Sequence, residues 1–209
     1  MPPIATLHDL MLHELKDIFS AERQLVKALP KLAARVSSEE LKTALMEHLA
    51  ETKHHVTRIE DCFRFLGETA RARKCKAMEG LIAEGSDMLD EEIDPEVLDA
   101  AIIAAAQRAE HYEMAAYGTL REYARLMGHA EVQALLESTL SEEKQADQRL
   151  TVLAESGVNA LALRDGQQSM GARDGERVVA RSVTSEERTR TESRPTSGAA
   201  RPAVSPRDR

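Results

Sequence analysis

Two glutamates occupy positions of the sequence where an amphipathic helix should carry apolar side chains. In the stretch RAEHYEMAAYG, residues 108–118, Glu110 and Glu113 continue an apolar series that passes through Ile103 and Ala106 in steps of three or four residues. A buried carboxylate loses several kcal/mol of hydration unless a partner compensates it. The pattern therefore indicates carboxylates that bind something inside the protein.

Other predicted helices carry a glutamate at the same kind of position. Glu22 lies between the apolar residues Ile18 and Leu25 of the first helix. Glu143 interrupts the apolar series of the last helix, and Glu51 lies beside the stripe of the second. Each glutamate is near the middle of its helix, and the middles of antiparallel helices of similar length meet at one level. We therefore predict an acidic cluster in the centre of a helical bundle.

Divalent cations are the simplest compensation for such a cluster. No lysine or arginine occupies the corresponding positions of the first, third or fourth long helix. Iron and manganese ions favour the oxygen and nitrogen ligands that carboxylates and imidazoles supply. The sequence thus predicts two divalent metal ions, Fe or Mn. The predicted ligands are Glu22, Glu51, His55, Glu110, Glu113, Glu143 and Asp147.

The second helix offers three histidines as ligands. The string Glu51-Thr-Lys-His54 matches the Glu-x-x-His motif of di-iron bundles, but His54 projects away from the apolar stripe. His55 follows Glu51 by one turn and lies closer to the inward flank, and His48 precedes it by one turn. We favour His55, with His54 and His48 as alternatives. The last helix has no histidine at the matching place, where Asp147 is the candidate to substitute.

The first two helices that position these side chains form a predicted hairpin. Apolar periodicity predicts the first helix over residues 4–35, with Pro30 expected to kink its last turn. The second helix is predicted to begin at a capping box of Ser37 and Glu40 and to end at Gly67. Only a few residues separate the two helices, so they must run antiparallel.

The remaining elements complete a four-helix pattern. A short helix is predicted within residues 75–92, and Asp94-Pro95 opens the third long helix, which ends at Gly128. The fourth follows closely and is expected to end before Gly157. Two hairpins joined by one long crossover are the ferritin-like connectivity. The predicted fold class is therefore all-α, a ferritin-like antiparallel four-helix bundle whose crossover contains a short helix.

The chain divides by composition into two predicted parts. Residues 1–164 form the bundle domain, whereas residues 165–209, rich in Arg, Ser, Thr and Pro, have almost nothing to bury and are expected to be a disordered tail. The tail carries nine arginines and seven acidic residues, and the whole chain has a formal charge of −8. No nucleic-acid partner is expected from this balance.

The sequence favours a cytoplasmic location. No apolar run approaches the ~20 residues that a membrane-spanning helix needs, and the start of the chain has no signal-peptide pattern. Cys62 and Cys75 are too few and too far apart to suggest a disulfide framework, and we expect two reduced thiols. No membrane partner is expected.

Five segments of the bundle resemble a known family. The strings HELKDIFSAERQLVKALPKLA, EHLAETKHHVTRIE, CKAMEGLIAEG, AAIIAAAQRAEHYEMAAYGTL and LLESTLSEEKQADQRLTVLA are similar, in order and spacing, to the YciF/YciE-like ferritin-like proteins, a bacterial stress-associated group. The resemblance covers residues 7–160 and implies a homodimer with a di-metal carboxylate site. The positions that match the family pattern are Glu22, His48, Glu51, His55, Glu110, Glu113, Glu143 and Asp147.

These observations lead to two functional hypotheses. The first is a di-metal carboxylate protein of the bacterial stress response, with redox or metal-handling chemistry on peroxide, dioxygen or Fe(II). The second is a non-catalytic all-α dimeric stress protein whose metal site is structural or vestigial. Whether the protein is an enzyme stays open at this point.

Overall fold

The computed structural model describes residues 4–164, which contain helices and no strand. This confirms the predicted all-α class. The predicted tail, residues 165–209, lies outside the described residues. The helices are α1 (Leu7–Ala33), α2 (Glu39–Phe65), α3 (Lys76–Asp90), α4 (Pro95–Leu126) and α5 (Ala130–Leu153), followed by a π-helical turn (Ala154–Val158).

The four long helices contact one another in a closed ring. Helix α1 packs on α2 and α4, and α5 packs on the same two helices. The connections α1–α2 and α4–α5 are short, whereas residues 66–94 form the long crossover and contain α3, which lies against α1 and α4. The predicted ferritin-like connectivity is confirmed, and the apolar stripes of all four long helices meet along the axis of the ring.

Helix ends follow the predicted signals at two glycines and depart from them elsewhere. Gly67 and Gly128 follow α2 and α4 with φ of 71° and 74°, the left-handed conformation that glycine adopts at helix ends. The structure corrects the prediction that Ser37 caps α2, because the hydroxyl of Ser38 accepts the hydrogen bond from Leu41 N. Gly157 does not end the last helix either, since the π-helical turn contains it and helical residues continue to position 164.

The side chain of Asp99 explains why Ser37 does not cap α2. This carboxylate on α4 accepts hydrogen bonds from Ser37 N, Ser37 Oγ and Ser38 N, each at 2.8 Å. Asp99 is 3% exposed and therefore ties the α1–α2 turn to α4 through a buried charged acceptor. The contact fixes how the first hairpin lies on the second.

Asp99→Asn is expected to lower the free energy of unfolding by about 2–3 kcal/mol, because the amide nitrogen cannot accept from these donors. For a chain of this size the melting temperature should fall by about 5–10 °C. Asp87→Asn on the exposed surface of α3 is the matched control. Equal melting temperatures of the two variants in circular dichroism would show that Asp99 does not hold the turn.

Neither a membrane-spanning helix nor a disulfide is found within residues 4–164. Within residues 4–164, no helix has both the length and the apolar composition required to cross a bilayer. Cys62 and Cys75 are buried and free, as the sequence predicts.

Candidate metal centre

A cluster of buried carboxylates and imidazoles lies in the middle of the helical ring. All four long helices contribute, because each apolar stripe is interrupted near its midpoint by a polar residue that faces inward. Every member of the cluster is at most 5% exposed. The cluster consists of Glu22, His48, His55, Glu110, Glu113 and Glu143.

These residues form two groups that share one member. Ligand atoms of His48, Glu110, Glu113 and Glu143 all lie within 4.8 Å of one another, and so do those of Glu22, His55 and Glu143. Glu143 therefore belongs to both groups, and its two carboxylate oxygens point to different imidazoles. This is the arrangement expected of a carboxylate that bridges two cations.

The imidazoles contact the carboxylates at short range. His55 Nδ1 is 2.9 Å from Glu143 Oε1 and 3.6 Å from Glu22 Oε1. His48 Nε2 is 3.1 Å from Glu110 Oε1 and 4.0 Å from Glu143 Oε2. A small ion between these groups could accept lone pairs from both the nitrogen and the oxygen atoms.

Many polar atoms of the cluster lack a hydrogen-bond partner. Both carboxylate oxygens of Glu113 have none, nor do Glu22 Oε2, Glu110 Oε2 and Glu143 Oε2, while Glu143 Oε1 forms an ion pair with His55 Nδ1. Most buried polar groups in proteins are hydrogen-bonded, so such a concentration of unsatisfied acceptors needs an explanation. Cations are the partners that acceptor-only groups require.

A salt-bridged carboxylate supports His55 from the outside of the ring. His55 Nε2 lies 2.8 Å from Glu142 Oε2. The guanidinium of Arg58 donates two hydrogen bonds to the same carboxylate, at 2.5 and 2.8 Å. If Nε2 donates its proton to Glu142, Nδ1 is the nitrogen left for a metal, because carboxylates commonly orient metal-binding imidazoles in this way.

A looser arrangement of the same residue types occurs at His48. Its Nδ1 is 3.5 Å from Glu51 Oε2, and Arg149 donates a hydrogen bond of 2.7 Å to that oxygen. Each imidazole thus has an inner nitrogen near the carboxylates and an outer nitrogen facing a Glu–Arg pair. The two Arg–Glu–His chains give the cluster an approximate internal symmetry.

The structure places three sequence candidates outside both groups. Glu51 is the outer carboxylate of the His48 chain just described. Asp147 Oδ1 instead lies 3.0 Å from Gln107 Nε2 and 3.3 Å from His111 Nε2. His54, the literal Glu-x-x-His histidine, is exposed on α2. The alternative histidine His48 joins His55 in the cluster.

Tyr112 and Tyr117, two tyrosines of α4, have different partners. The hydroxyl of Tyr117, which is fully buried, donates a short hydrogen bond to Glu22 Oε1. Burial and the charge of Glu22 raise the pKa of Tyr117 well above its usual value, so the phenol stays protonated as a donor. The Tyr112 hydroxyl donates to Asp17 Oδ2 at 2.6 Å and lies 3.1 Å from Cys75 Sγ, away from the cluster.

Burial divides the cluster into protonated and charged groups. Desolvation and the charge of Glu143 raise the pKa of Glu110 and of Glu113 well above the usual carboxyl range. Desolvation also raises the pKa of Glu22, although the nearby imidazole of His55 opposes the change. Desolvation alone would raise the pKa of Glu143, yet its interaction with His55 holds that pKa below the usual value.

His55 carries the compensating positive charge. Burial disfavours its imidazolium form, but the close carboxylates of Glu143 and Glu22 outweigh burial and raise its pKa to about 10. Without metal, the cluster thus keeps protons on His55, Glu110 and Glu113. A cation bound by these residues would have to displace those protons.

Of the outer members of the two chains, the sequence identified only Glu51 as a site residue. Glu142 precedes Glu143, but its contact with Arg58 joins α5 to α2 across the ring. Arg149 likewise reaches Glu51 from another helix. The available signal was their closeness to the central residues along the same helices, which does not reveal a pairing between helices.

Comparisons with known proteins show which family the chain resembles. The model of a family described as a domain of unknown function, DUF892, matches residues 6–163. YciF of Escherichia coli is 45% identical over 158 residues, which cover 75% of this chain and 95% of YciF. The family resemblance inferred from the sequence is therefore confirmed.

Solved structures match the same region. The crystal structure of the E. coli stress protein YciF superposes with a TM-score of 0.72 at 44% identity, over 75% of this chain and 99% of that one. YcfI of Rhodopseudomonas palustris gives a TM-score of 0.70 at 42% identity, over 72% and 96% of the two chains.

A more distant match supports the fold alone. It is a two-domain protein of Anabaena variabilis with DJ-1/ThiJ/PfpI-like and ferritin-like domains, at a TM-score of 0.50 and 18% identity. The alignment spans 75% of this chain and 39% of that protein. From its sequence and its structure, the chain belongs to the DUF892 family.

Proposed function

We propose that the protein is a di-metal carboxylate protein of the bacterial stress response, which holds two Fe or Mn ions in the centre of its bundle. The observation that supports this proposal most directly is that Glu143 belongs to two buried groups of ligand atoms at once. The description of the relative YciF as a stress protein supports the physiological setting. We also propose, from the family resemblance alone, a homodimer in the cytoplasm.

The residues present fit two divalent ions. Glu22 and His55 would hold one ion, His48, Glu110 and Glu113 would hold the other, and Glu143 would bridge them. The donors are oxygens and imidazole nitrogens, which suit Fe(II) and Mn(II), whereas the thiols of Cys62 and Cys75 do not take part. The unsatisfied oxygens of Glu113 and Glu143 are those that need a cation.

Residues of the chain prepare this site for redox or metal-handling chemistry. The hydroxyl of Tyr117 donates a hydrogen bond to Glu22 Oε1, whereas Glu22 Oε2 has no hydrogen-bond partner. The Glu142–Arg58 pair holds the imidazole of His55 by a hydrogen bond, and the Glu51–Arg149 pair lies 3.5 Å from His48 Nδ1. When bound, a pair of such ions would supply redox chemistry toward peroxide or dioxygen, and Fe(II) that gave up electrons there would become Fe(III). The surrounding apolar side chains limit access of water.

Metal titration tests the proposal. Purified protein stripped of metal is expected to bind two Mn(II) or, without oxygen, two Fe(II) per chain. If each site is filled at about 1,000 times its dissociation constant, each ion adds about 4 kcal/mol to the free energy of unfolding. The melting temperature should therefore rise by roughly 15 °C or more. A protein that binds neither ion and melts at an unchanged temperature would contradict the proposal.

Peroxide consumption by the loaded protein then separates the two functional hypotheses. Turnover supports redox chemistry, and binding without turnover supports a structural site.

A further inference from the structure

An apolar cavity of about 220 Å³ lies between α1, α3 and α4. Leucines of α1 and α3 form two of its walls, and α4 contributes the small side chains of Ala105, Ala106 and Ala109. A Cβ added at Gly85 of α3 would meet the Cβ of Ala105 at 3.4 Å, so α3 and α4 are in contact beside it. Protein interiors contain few voids larger than a water molecule, and an apolar space of this size is suited to a ligand.

The cavity joins the metal centre to the surface. Glu110, a member of the buried cluster, lines it, is 2% exposed, and has its Oε2 without a hydrogen-bond partner. Lys27 and Lys31 of α1 line the same cavity and are exposed. The walls between these charged residues are almost entirely apolar.

The two lysines are available to an anion. They are one helical turn apart, and neither has an ion pair with any residue in 4–164. They are the only basic residues among those that line this cavity, and its single acidic residue, Glu110, lies at the buried end. The cavity is therefore amphipathic, with cations at its mouth and an apolar interior.

We propose that this cavity binds an aliphatic carboxylate. The anionic head pairs with the ammonium groups of Lys27 and Lys31, and the chain extends along the alanines of α4 toward Glu110. This inference rests on the proposed function in assigning Glu110 to a metal centre. It deepens that function by naming aliphatic carboxylates as the class of molecule that reaches the centre.

Calorimetric titration with dodecanoate tests the proposal on both metal-free and Mn(II)-loaded protein. We expect saturable binding of one molecule per chain in both forms. The double variant Lys27→Glu/Lys31→Glu should weaken binding at least about tenfold, because it repels the carboxylate head. Ala105→Leu should weaken it by a similar factor, because the larger side chain fills the cavity.

Two variants serve as matched controls. Lys144→Glu makes the same charge change on the exposed face of α5, and Ala104→Leu makes the same enlargement one residue away, on the exposed face of α4. Both should bind dodecanoate as the unmodified protein does. Melting curves identify any variant that fails to fold. If either the double lysine variant or Ala105→Leu does not fold, the other of these two still tests whether dodecanoate binds in the cavity.

Other outcomes assign the cavity differently. No binding of dodecanoate, or equal weakening by the control variants, overturns the proposal. Equal affinity for dodecanol, together with no effect of the lysine variant, also overturns it, because the head would then not be recognised. If Ala105→Leu raises the melting temperature and dodecanoate does not bind, the cavity is a packing defect.

The test also separates this proposal from the metal site. Dodecanoate is expected to change the Mn(II) electron paramagnetic resonance spectrum, because its chain approaches Glu110. Binding of dodecanoate without any metal binding contradicts the proposed function and leaves a carboxylate-binding cavity. Metal binding without dodecanoate binding contradicts only the ligand assignment.

Discussion

Replacing Glu143 with glutamine is expected to abolish the binding of two metal ions. Glu143 is fully buried and is the one residue common to both groups of ligand atoms in the described chain. Glutamine has nearly the same shape but carries no charge and only one acceptor oxygen, so it cannot bridge two cations. Isothermal titration with Mn(II) should show an affinity reduced by at least about 100-fold, more than loss of a supporting residue usually costs.

A comparison of Glu143→Gln with Glu51→Gln distinguishes the loss of a bridging ligand from the loss of a residue that orients a ligand. Glu51 contacts Arg149 and His48 and lies outside both groups, so its replacement should cost only about 10–100-fold in affinity, as for residues that orient a ligand. Glu137→Gln, on the exposed face of α5, should have no effect. Equal losses in Glu51→Gln and Glu143→Gln would instead support direct coordination by Glu51. Undiminished binding by Glu143→Gln would contradict a bridged centre.

The buried glutamates could be predicted because their positions follow from helical periodicity. Glu22, Glu110, Glu113 and Glu143 replace apolar residues in series with three- and four-residue steps, and such positions face the core whatever the neighbouring helices do. Their common level followed from the lengths of the antiparallel hairpins. Local chain geometry alone therefore brought these four carboxylates together.

The inward-facing residues of α2 were harder to predict because its polar residues lie at the edge of the apolar stripe. His48, Glu51 and His55 share one flank of α2, and a small rotation of the helix decides which of them point inward. The contacts of Arg149 with Glu51 and of Arg58 with Glu142 accompany the observed rotation. Both arginines depend on how α2 packs against α5, which no periodicity within one helix specifies.

The two wrong predictions of helix ends, at Ser37 and at Gly157, also arise from contacts between helices. Ser37 and Ser38 have the same side chain, so residue type does not decide which of them caps α2. The hydroxyl of Ser37 donates its hydrogen bond to the buried Asp99 of α4 instead. Gly157 is a helix breaker by propensity, yet Ala154 and Val158 beside it are buried against the bundle. Tertiary contacts outweigh a local preference worth about 1 kcal/mol.

Metal-free protein is expected to lose stability as the pH rises. The pKa values of Glu110 and Glu113 are raised well above 4.5 by burial and by the charge of Glu143, and the pKa of His55 is raised from 6.5 to about 10 by Glu143 and Glu22 against the effect of burial. In all three cases the folded chain keeps protons that the unfolded chain has already released. The free energy of unfolding therefore falls with pH above the unfolded pKa values.

Thermal melts of metal-free protein between pH 6 and pH 9 should show this as a fall of about 5–10 °C in the melting temperature. Glu113→Gln removes one group with a raised pKa and should flatten the dependence and raise the melting temperature at the alkaline end. Glu137→Gln, which replaces an exposed glutamate, should follow the unmodified protein.

The stabilisation that bound metal adds is expected to change with pH in the opposite direction. Each cation must displace the protons that Glu110, Glu113 and His55 hold in the metal-free state, so apparent affinity increases as the pH rises. At a fixed Mn(II) concentration, the stabilisation by metal should therefore grow over the same pH range in which the metal-free protein weakens. Parallel curves with and without Mn(II) would mean that metal and protons do not compete for these side chains. The cluster would then hold its protons for a structural reason, and the proposed metal centre would be wrong.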